Sequence, residues 1–260
     1  MAKIEIRNEY EAADVKGLIL EVGYADLLVQ EEATDKITVS TMRDEEKTAE
    51  YKCELKDGML RVNPGNMDIH ITVFGEGKKF HKEELEKDLV MITLPYDMHF
   101  EVMELSLGAG SAKLKNHSTT YERVDISVGA GTVSVDNLLV NGHVKAGTGA
   151  GTVEILDFKA ASASADCGVG TMKLRGTIDG NMDISCAVGS VEVNLNAVES
   201  DYNYDISCAV GSILVNGSKR GVGLFSYSTK LHNADAKGKI KMSCGVGRIE
   251  LLTQKRLTAE

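Results

Sequence analysis

The chain has no tryptophan, only two prolines, and 5% aromatic residues in 260. Sugar sites are commonly built on flat aromatic platforms, so the missing tryptophan weighs against both a lectin and a glycosidase. No window approaches the roughly 18–20 apolar residues of a membrane-spanning helix. The opening, MAKIEIRNEYEAADVKG, lacks the apolar stretch of a secretory signal. From the residues alone a cytoplasmic location is therefore expected. Five cysteines, none in a CxxC pair, are too few for a disulfide scaffold and imply a reducing compartment. An excess of positive charge is also absent. The formal net charge is −10, which argues against a nucleic-acid partner, because phosphate binding needs a basic surface.

Glycine is abundant, at 26 residues, and its placement is periodic. The strings LSLGAGSAKL, ISVGAGTVSV, AGTGAGTVEI, ADCGVGTMKL, ISCAVGSVEV, ISCAVGSILV and MSCGVGRIEL repeat one pattern along the chain. Let position zero be the second small-residue position of each box. It falls on Gly110, Gly131, Gly151, Gly170, Gly189, Gly211 and Gly247, at spacings of 21, 20, 19, 19, 22 and 36 residues. The stretch LEVGYADLLV (20–29) is a worn copy with Ala25 at position zero.

After the glycine, columns +2 and +4 are apolar and column +3 is mostly polar, which is the period-two signature of a half-buried strand. Columns −5, −3 and −1 are also apolar or small, and all three are expected to face inward. The alternation then slips by one residue at the glycine, whose conformational freedom suits a bend or bulge. Each unit of about 20 residues cannot bury an apolar face alone, so units stack with equivalent residues superposed. The fold class expected is all-β: a parallel β-helix, or β-solenoid. Asn141-Gly142, Asp179-Gly180 and Asn216-Gly217 are turn signals between strands.

Cys167, Cys186, Cys208 and Cys244 share column −3, following Leu107, Val128 and Thr148. In register they form an internal ladder of small, soft side chains rather than ligands converging on a metal. Glu154, Lys173 and Glu192 share outward column +3 and read as charge pairing between coils.

Residues 101–252 form the regular solenoid, with an insertion at about 216–240 that is either a lateral hairpin or a loop. Residues 1–100 are irregular β structure continuous with the solenoid, covering or extending its first coil, and 253–260 form a polar tail. Within 1–100, Asp57-Gly58 marks a hairpin, 66–74 and 88–94 read as strands, and 80–89 as a short helix or exposed loop.

Motifs that carry chemistry are few. There is no GxxxxGK[ST], GxGxxG or HExxH. His81 with Glu83 and Glu84 reads as a solvated face, and His70, His99, His117, His143 and His232 are scattered. Serines 106, 127, 185, 207 and 243 share column −4 as an outer ladder. Asn116 and Asn216 begin glycosylation sequons. No catalytic, cofactor-binding or metal residue is assigned, and no cofactor is expected.

The strings LILEVGYADLLV, MITLPYDMHFEVMELSLGAGSAKL and KIKMSCGVGRIELL resemble a bacterial family of β-strand-repeat proteins, a domain of unknown function whose members are candidate adhesins. The resemblance runs from about residue 15 to 252. It implies a right-handed, single-stranded β-helix and an association with the cell envelope, and it carries no catalytic residues over. The function expected is a non-catalytic scaffold or binding module with an unidentified protein or envelope partner. The alternative is a carbohydrate-active β-helix enzyme of the lyase or hydrolase type, which needs carboxylates converging on one outer face.

Overall fold

The computed structural model describes residues 3–44, 50–65, 89–223 and 227–254. Among these residues sixteen strands form one sheet. In chain order they are β1 (Lys3–Glu11), β2 (Gly17–Tyr24), β3 (Asp26–Glu32), β4 (Lys36–Asp44), β5 (Lys52–Lys56), β6 (Met59–Asn63), β7 (Leu89–Pro95), β8 (His99–Lys115), β9 (Thr120–Asp136), β10 (Leu139–Ala160), β11 (Ser162–Ile178), β12 (Met182–Val198), β13 (Tyr202–Val215), β14 (Ser218–Gly223), β15 (Tyr227–Leu231) and β16 (Gly238–Gln254). Among the described residues there is no α-helix. The segment 66–74, and 80–89 apart from Leu89, lie outside the described residues; the strand expected at 88–94 is β7.

Long strands stack in parallel with every repeat in register. Gly110 lies opposite Gly131, Gly131 opposite Gly151, Gly151 opposite Gly170, and Gly170 opposite Gly189. The worn copy joins them: β2 and β3 together pair with β8, bringing Val22 opposite Leu107 and Leu27 opposite Ala112. Columns −7, −5, −3, +2 and +4 fill a continuous buried core. In β12 these are Met182, Ile184, Cys186, Val191 and Val193, all at most 4% exposed.

The glycine corner is where sequence dictates the stacking. A Cβ on Gly189 would lie 1.9 Å from the carbonyl oxygen of Gly170, and one on Gly247 would lie 1.8 Å from that of Gly189. The φ angles there, +144° and +146°, are also ones that side chains disfavour. Backbone therefore packs against backbone at the bend.

Three expectations change. Column −1 does not face the core: Val169, Val188 and Val246 are 56%, 44% and 47% exposed. The inward alternation stops at column −3 and resumes at +2, so the corner occupies four residues rather than one. Asn141-Gly142 is not a turn between strands but a bulge inside β10, where the register with β9 shifts between Val140 and His143. The third change is strand order. The seventh repeat does not follow the sixth in space. β16 lies between β12 and β13, pairing in parallel with both, so that Gly247 faces Gly189 on one side and Gly211 on the other. Sequence spacing records the order of repeats along the chain and carries no mark of a skipped place.

The sheet is therefore mixed rather than wholly parallel. Its solenoid body is parallel, and both ends carry antiparallel strands. At one end β4 pairs with β7 and β5 with β6, the latter through the hairpin turn at Asp57-Gly58. At the other, β14 and β15 lie antiparallel to β13, so the described residues of the 216–240 insertion include two lateral strands paired along the edge of β13.

One buried carboxylate shapes the link between β8 and β9. Glu31 is 5% exposed and accepts N–H bonds from His117 at 2.9 Å, Ser118 at 3.0 Å and Thr119 at 3.1 Å. Burial alone would raise its pKa, but those donors outweigh it and hold the carboxyl below its ordinary value. The resulting stabilisation is present above the unfolded carboxyl value and is lost as pH falls through the folded one. Glu31→Gln is expected to cost about 1–3 kcal/mol at neutral pH. In acid titrations followed by circular dichroism, the gap between the two proteins should close below about pH 4. A gap that stays constant with pH contradicts the assignment.

The glycine columns give a second test. Gly247→Ala should cost several kcal/mol, since steric overlap and a disfavoured φ act together, each worth about 1–3 kcal/mol. Gly147→Ala, where the added Cβ meets nothing closer than 3.9 Å, should stay within about 0.5 kcal/mol. Denaturant midpoints of the two variants measure the contrast.

Candidate binding surface

Because register superposes the repeats, the outside of the solenoid is a set of columns. In spatial order, column −1 reads Tyr24, Ala109, Ala130, Ala150, Val169, Val188, Val246 and Val210. Its half towards β13 is a ridge of four valines, three of them exposed and at 44% or more. Neighbouring coils lie roughly 4.8 Å apart, so the ridge is about 15 Å long. Polar ranks flank it: Thr171, Ser190, Arg248 and Ser212 on one side, and, beyond the small residues Gly168, Ala187, Gly245 and Ala209, Asp166, Ser185, Ser243 and Ser207 on the other. Ser185 donates to Asp166 at 2.9 Å, and Arg248 pairs with Glu250. An apolar strip within a polar rim has the anatomy of a protein-binding patch.

Directly beneath lie the thiols. Cys167 faces Cys186, Cys186 faces Cys244, and Cys244 faces Cys208, each at most 5% exposed. The expected ladder is present, but Cys244 stands inside it, between Cys186 and Cys208. Burial pushes the thiols of Cys167 and Cys244 up to about 11 and raises that of Cys186 as well. Cys53 lies apart on β5, where the Tyr10 hydroxyl approaches its sulfur at 3.2 Å. Burial raises its thiol too.

The other outer columns are occupied by charge pairing. Lys173 sits between Glu154 and Glu192, 3.7 Å from the Glu154 carboxylate. Glu250 is the next residue of that column, beside Glu192, because β16 is inserted there. On the opposite flank Arg123 meets Glu104 at 3.0 Å, Lys145 meets Asp125 at 3.9 Å, and Lys241 meets Asp183 at 3.6 Å. A shallow groove of about 230 Å³ near β2 is lined by Glu21, Glu104, Ser106, Asp125 and Ser127. Its acids are already paired: Glu21 accepts from Asn63, and Glu104 and Asp125 hold the bridges just named.

Among the histidines, His143 is held between the hydroxyls of Ser162 and Ser164, at 2.8 Å each. A serine and an imidazole thus meet. No carboxylate orients the ring, however, since its second nitrogen is spent on the other hydroxyl. His99 lies 3.5 Å from Glu122, and His117 packs edge-on against Tyr96. His232 is exposed, and His70, His81, Glu83 and Glu84 lie outside the described residues. Among the described residues no group of three or more His, Cys, Asp and Glu side chains converges to hold a metal ion. Asn116, first of the two sequon asparagines, is buried with its Oδ1 accepting from Tyr121, whereas Asn216 is exposed. The valine ridge is hidden from sequence reading because column −1 has the composition of a core column.

A family model described as Toastrack DUF4097 matches residues 15–242. The chain belongs to the Toastrack family. The match takes in the worn first copy and every glycine box before the last, so the Toastrack pattern and the stacked register cover the same residues. Three solved structures share the overall likeness. A candidate cell adhesion protein from Clostridium sporogenes is 17% identical, covering 97% of this chain and all of its own, with a TM-score of 0.39. Candidate adhesins from Bacteroides fragilis and Parabacteroides distasonis are 16% and 11% identical. They cover 96% of this chain each and 98% and 97% of their own, with TM-scores of 0.49 and 0.40. No curated protein matches the chain.

The thiol ladder generates a direct test. An ordinary cysteine has a pKa near 8.5, so a value of about 11 lowers the thiolate fraction at pH 8 by roughly two-hundredfold. Cys167 and Cys244 should alkylate at least that much more slowly in native protein than in denaturant, read peptide by peptide. Fast native labelling at either would show that the column is open to solvent.

Proposed function

We propose that the chain is a non-catalytic binding module, a rigid scaffold whose valine ridge docks a partner at the cell envelope. The single observation that supports it is the exposure of Val169, Val188 and Val246 in one contiguous row across three neighbouring parallel strands. A soluble surface rarely aligns large apolar side chains without use. The resemblance of the repeat strings to a family of candidate adhesins points the same way. We further read the chain as one unit from β1 to β16, its coils winding as a right-handed, single-stranded helix interrupted only where β16 returns.

Replacing the three valines by serine tests this reading. Each is exposed, so folding stability should move by no more than about 0.5 kcal/mol per site. Purified wild-type protein should bind envelope fractions of the source cells, and the triple variant should bind at least tenfold more weakly, about 1.4 kcal/mol. Equal binding by the two proteins would contradict the assignment of the ridge.

A further inference from the structure

The position of β16 has a physical consequence. β12 ends at Val198, and a short 3-10 turn, Glu199–Asp201, carries the chain into β13. β13 does not pair with β12: its partners are β16, β14 and β15. With β16 removed, the turn would be the chain's covalent link between the outer unit of β13, β14 and β15 and the body, and the edges of β12 and β13 that β16 now pairs would be left open across the width of one strand. Each edge presents an unpaired row of backbone N–H and C=O groups, a template for any strand that fits. The fit is specific. A strand entering must carry glycine opposite Gly189 and Gly211, and small or apolar residues opposite Cys186, Cys208, Val191 and Ile213. β16 meets this with Cys244, Gly247 and Ile249.

The connection that delivers β16 is fastened to the turn it crosses. Asn233 donates from its side-chain amide to the Ser200 carbonyl, and its backbone N–H donates to Asn203 Oδ1. The Lys237 N–H donates to the Asp201 carbonyl at 2.8 Å, and its ammonium meets the Asp201 carboxylate at 3.2 Å. These bonds join residues 232–237 to 199–203 at the mouth of the slot. Such a latch holds the strand in its own chain.

We infer that the slot between β12 and β13 is a strand-acceptor site, and that its occupant in trans is β16 of a second copy of this chain. Reciprocal exchange leaves every β16 contact unchanged and replaces only the latch, so the exchanged dimer differs from the monomer mainly at residues 232–237. Slot and strand come from the same sequence. Among the described residues, β16 is the one strand that is both last in the chain and flanked by two parallel strands.

The test uses two full-length chains, one carrying Ser185→Cys and the other Ser243→Cys. These positions face one another across the β12–β16 pair on the outer surface. Both chains are unfolded together, refolded at rising protein concentration, and treated with a short thiol-bridging reagent. The exchange predicts a covalent 185–243 adduct between chains whose yield rises with concentration and which does not form when the chains are refolded apart and then mixed. Asn233→Ala, which removes side-chain bonds of the latch, should increase the dimer several-fold. A third full-length chain carrying both cysteines reports the register within one molecule. If it forms the adduct while the mixed chains yield monomer alone at every concentration, the acceptor slot is closed to a second copy and the inference fails. A wild-type dimer seen by light scattering without the 185–243 adduct between chains overturns it equally.

Discussion

Everything regular in this molecule follows from one contact: the backbone of each corner glycine resting on the carbonyl of the coil beside it. At Gly131, Gly170, Gly189, Gly211 and Gly247 an added Cβ would fall within 2.2 Å of that oxygen. The approach leaves no room for a register slip, because a shift of one residue would drive a side chain into the gap and turn the core columns outward. Columns are the consequence. Apolar side chains superpose into one core, four cysteines into a buried ladder, and acids and bases into ranks that neutralise one another. Ladders of this kind need no strong individual bond. An exposed pair such as Lys173 with Glu154 is worth only about 0–1 kcal/mol.

The same contact creates a problem at the ends. A parallel stack exposes an unpaired edge wherever it stops, and such edges recruit other chains. Antiparallel strands deal with both: β4 and β5 lie over β7 and β6, and β14 and β15 lie over β13. At the second end β14 and β15 occupy the outer edge of β13, so β16 pairs with its inner edge, beside β12. A contiguous apolar row then lies along the side of the stack, where the corner turns four residues outward and carries valine in four neighbouring coils.

Much of this was legible from the residues. The GxG boxes encode the coil spacing, the parallel register and the membership of the thiol column, because few folds can accommodate a period-two pattern broken by glycine at near-constant intervals. The 154, 173 and 192 column faces out, as its chemistry implied. Val188 misled, since valine at column −1 looks like core. Only the width of the bend, set by how the backbone packs at Gly189, decides that it is exposed. Gly247 misled differently. Its box shares the S-C-x-V-G pattern of the fifth and sixth boxes, so neighbours in sequence look like neighbours in space. A shared pattern fits any place in the stack, so the sequence did not mark which place the last strand takes. The pairing of Glu31 with the 117–119 backbone was also invisible, because it joins residues more than 85 positions apart without any repeat.

The central claim is that one in-register stack contains all the glycine boxes, with the last inserted before the sixth. Cross-strand nuclear Overhauser contacts in selectively labelled protein test it most directly. Proton contacts between backbone around Gly189 and Gly247, and between Gly247 and Gly211, are predicted, with none between Gly189 and Gly211. Direct contacts between the Gly189 and Gly211 corners would place β13 beside β12 and contradict the account.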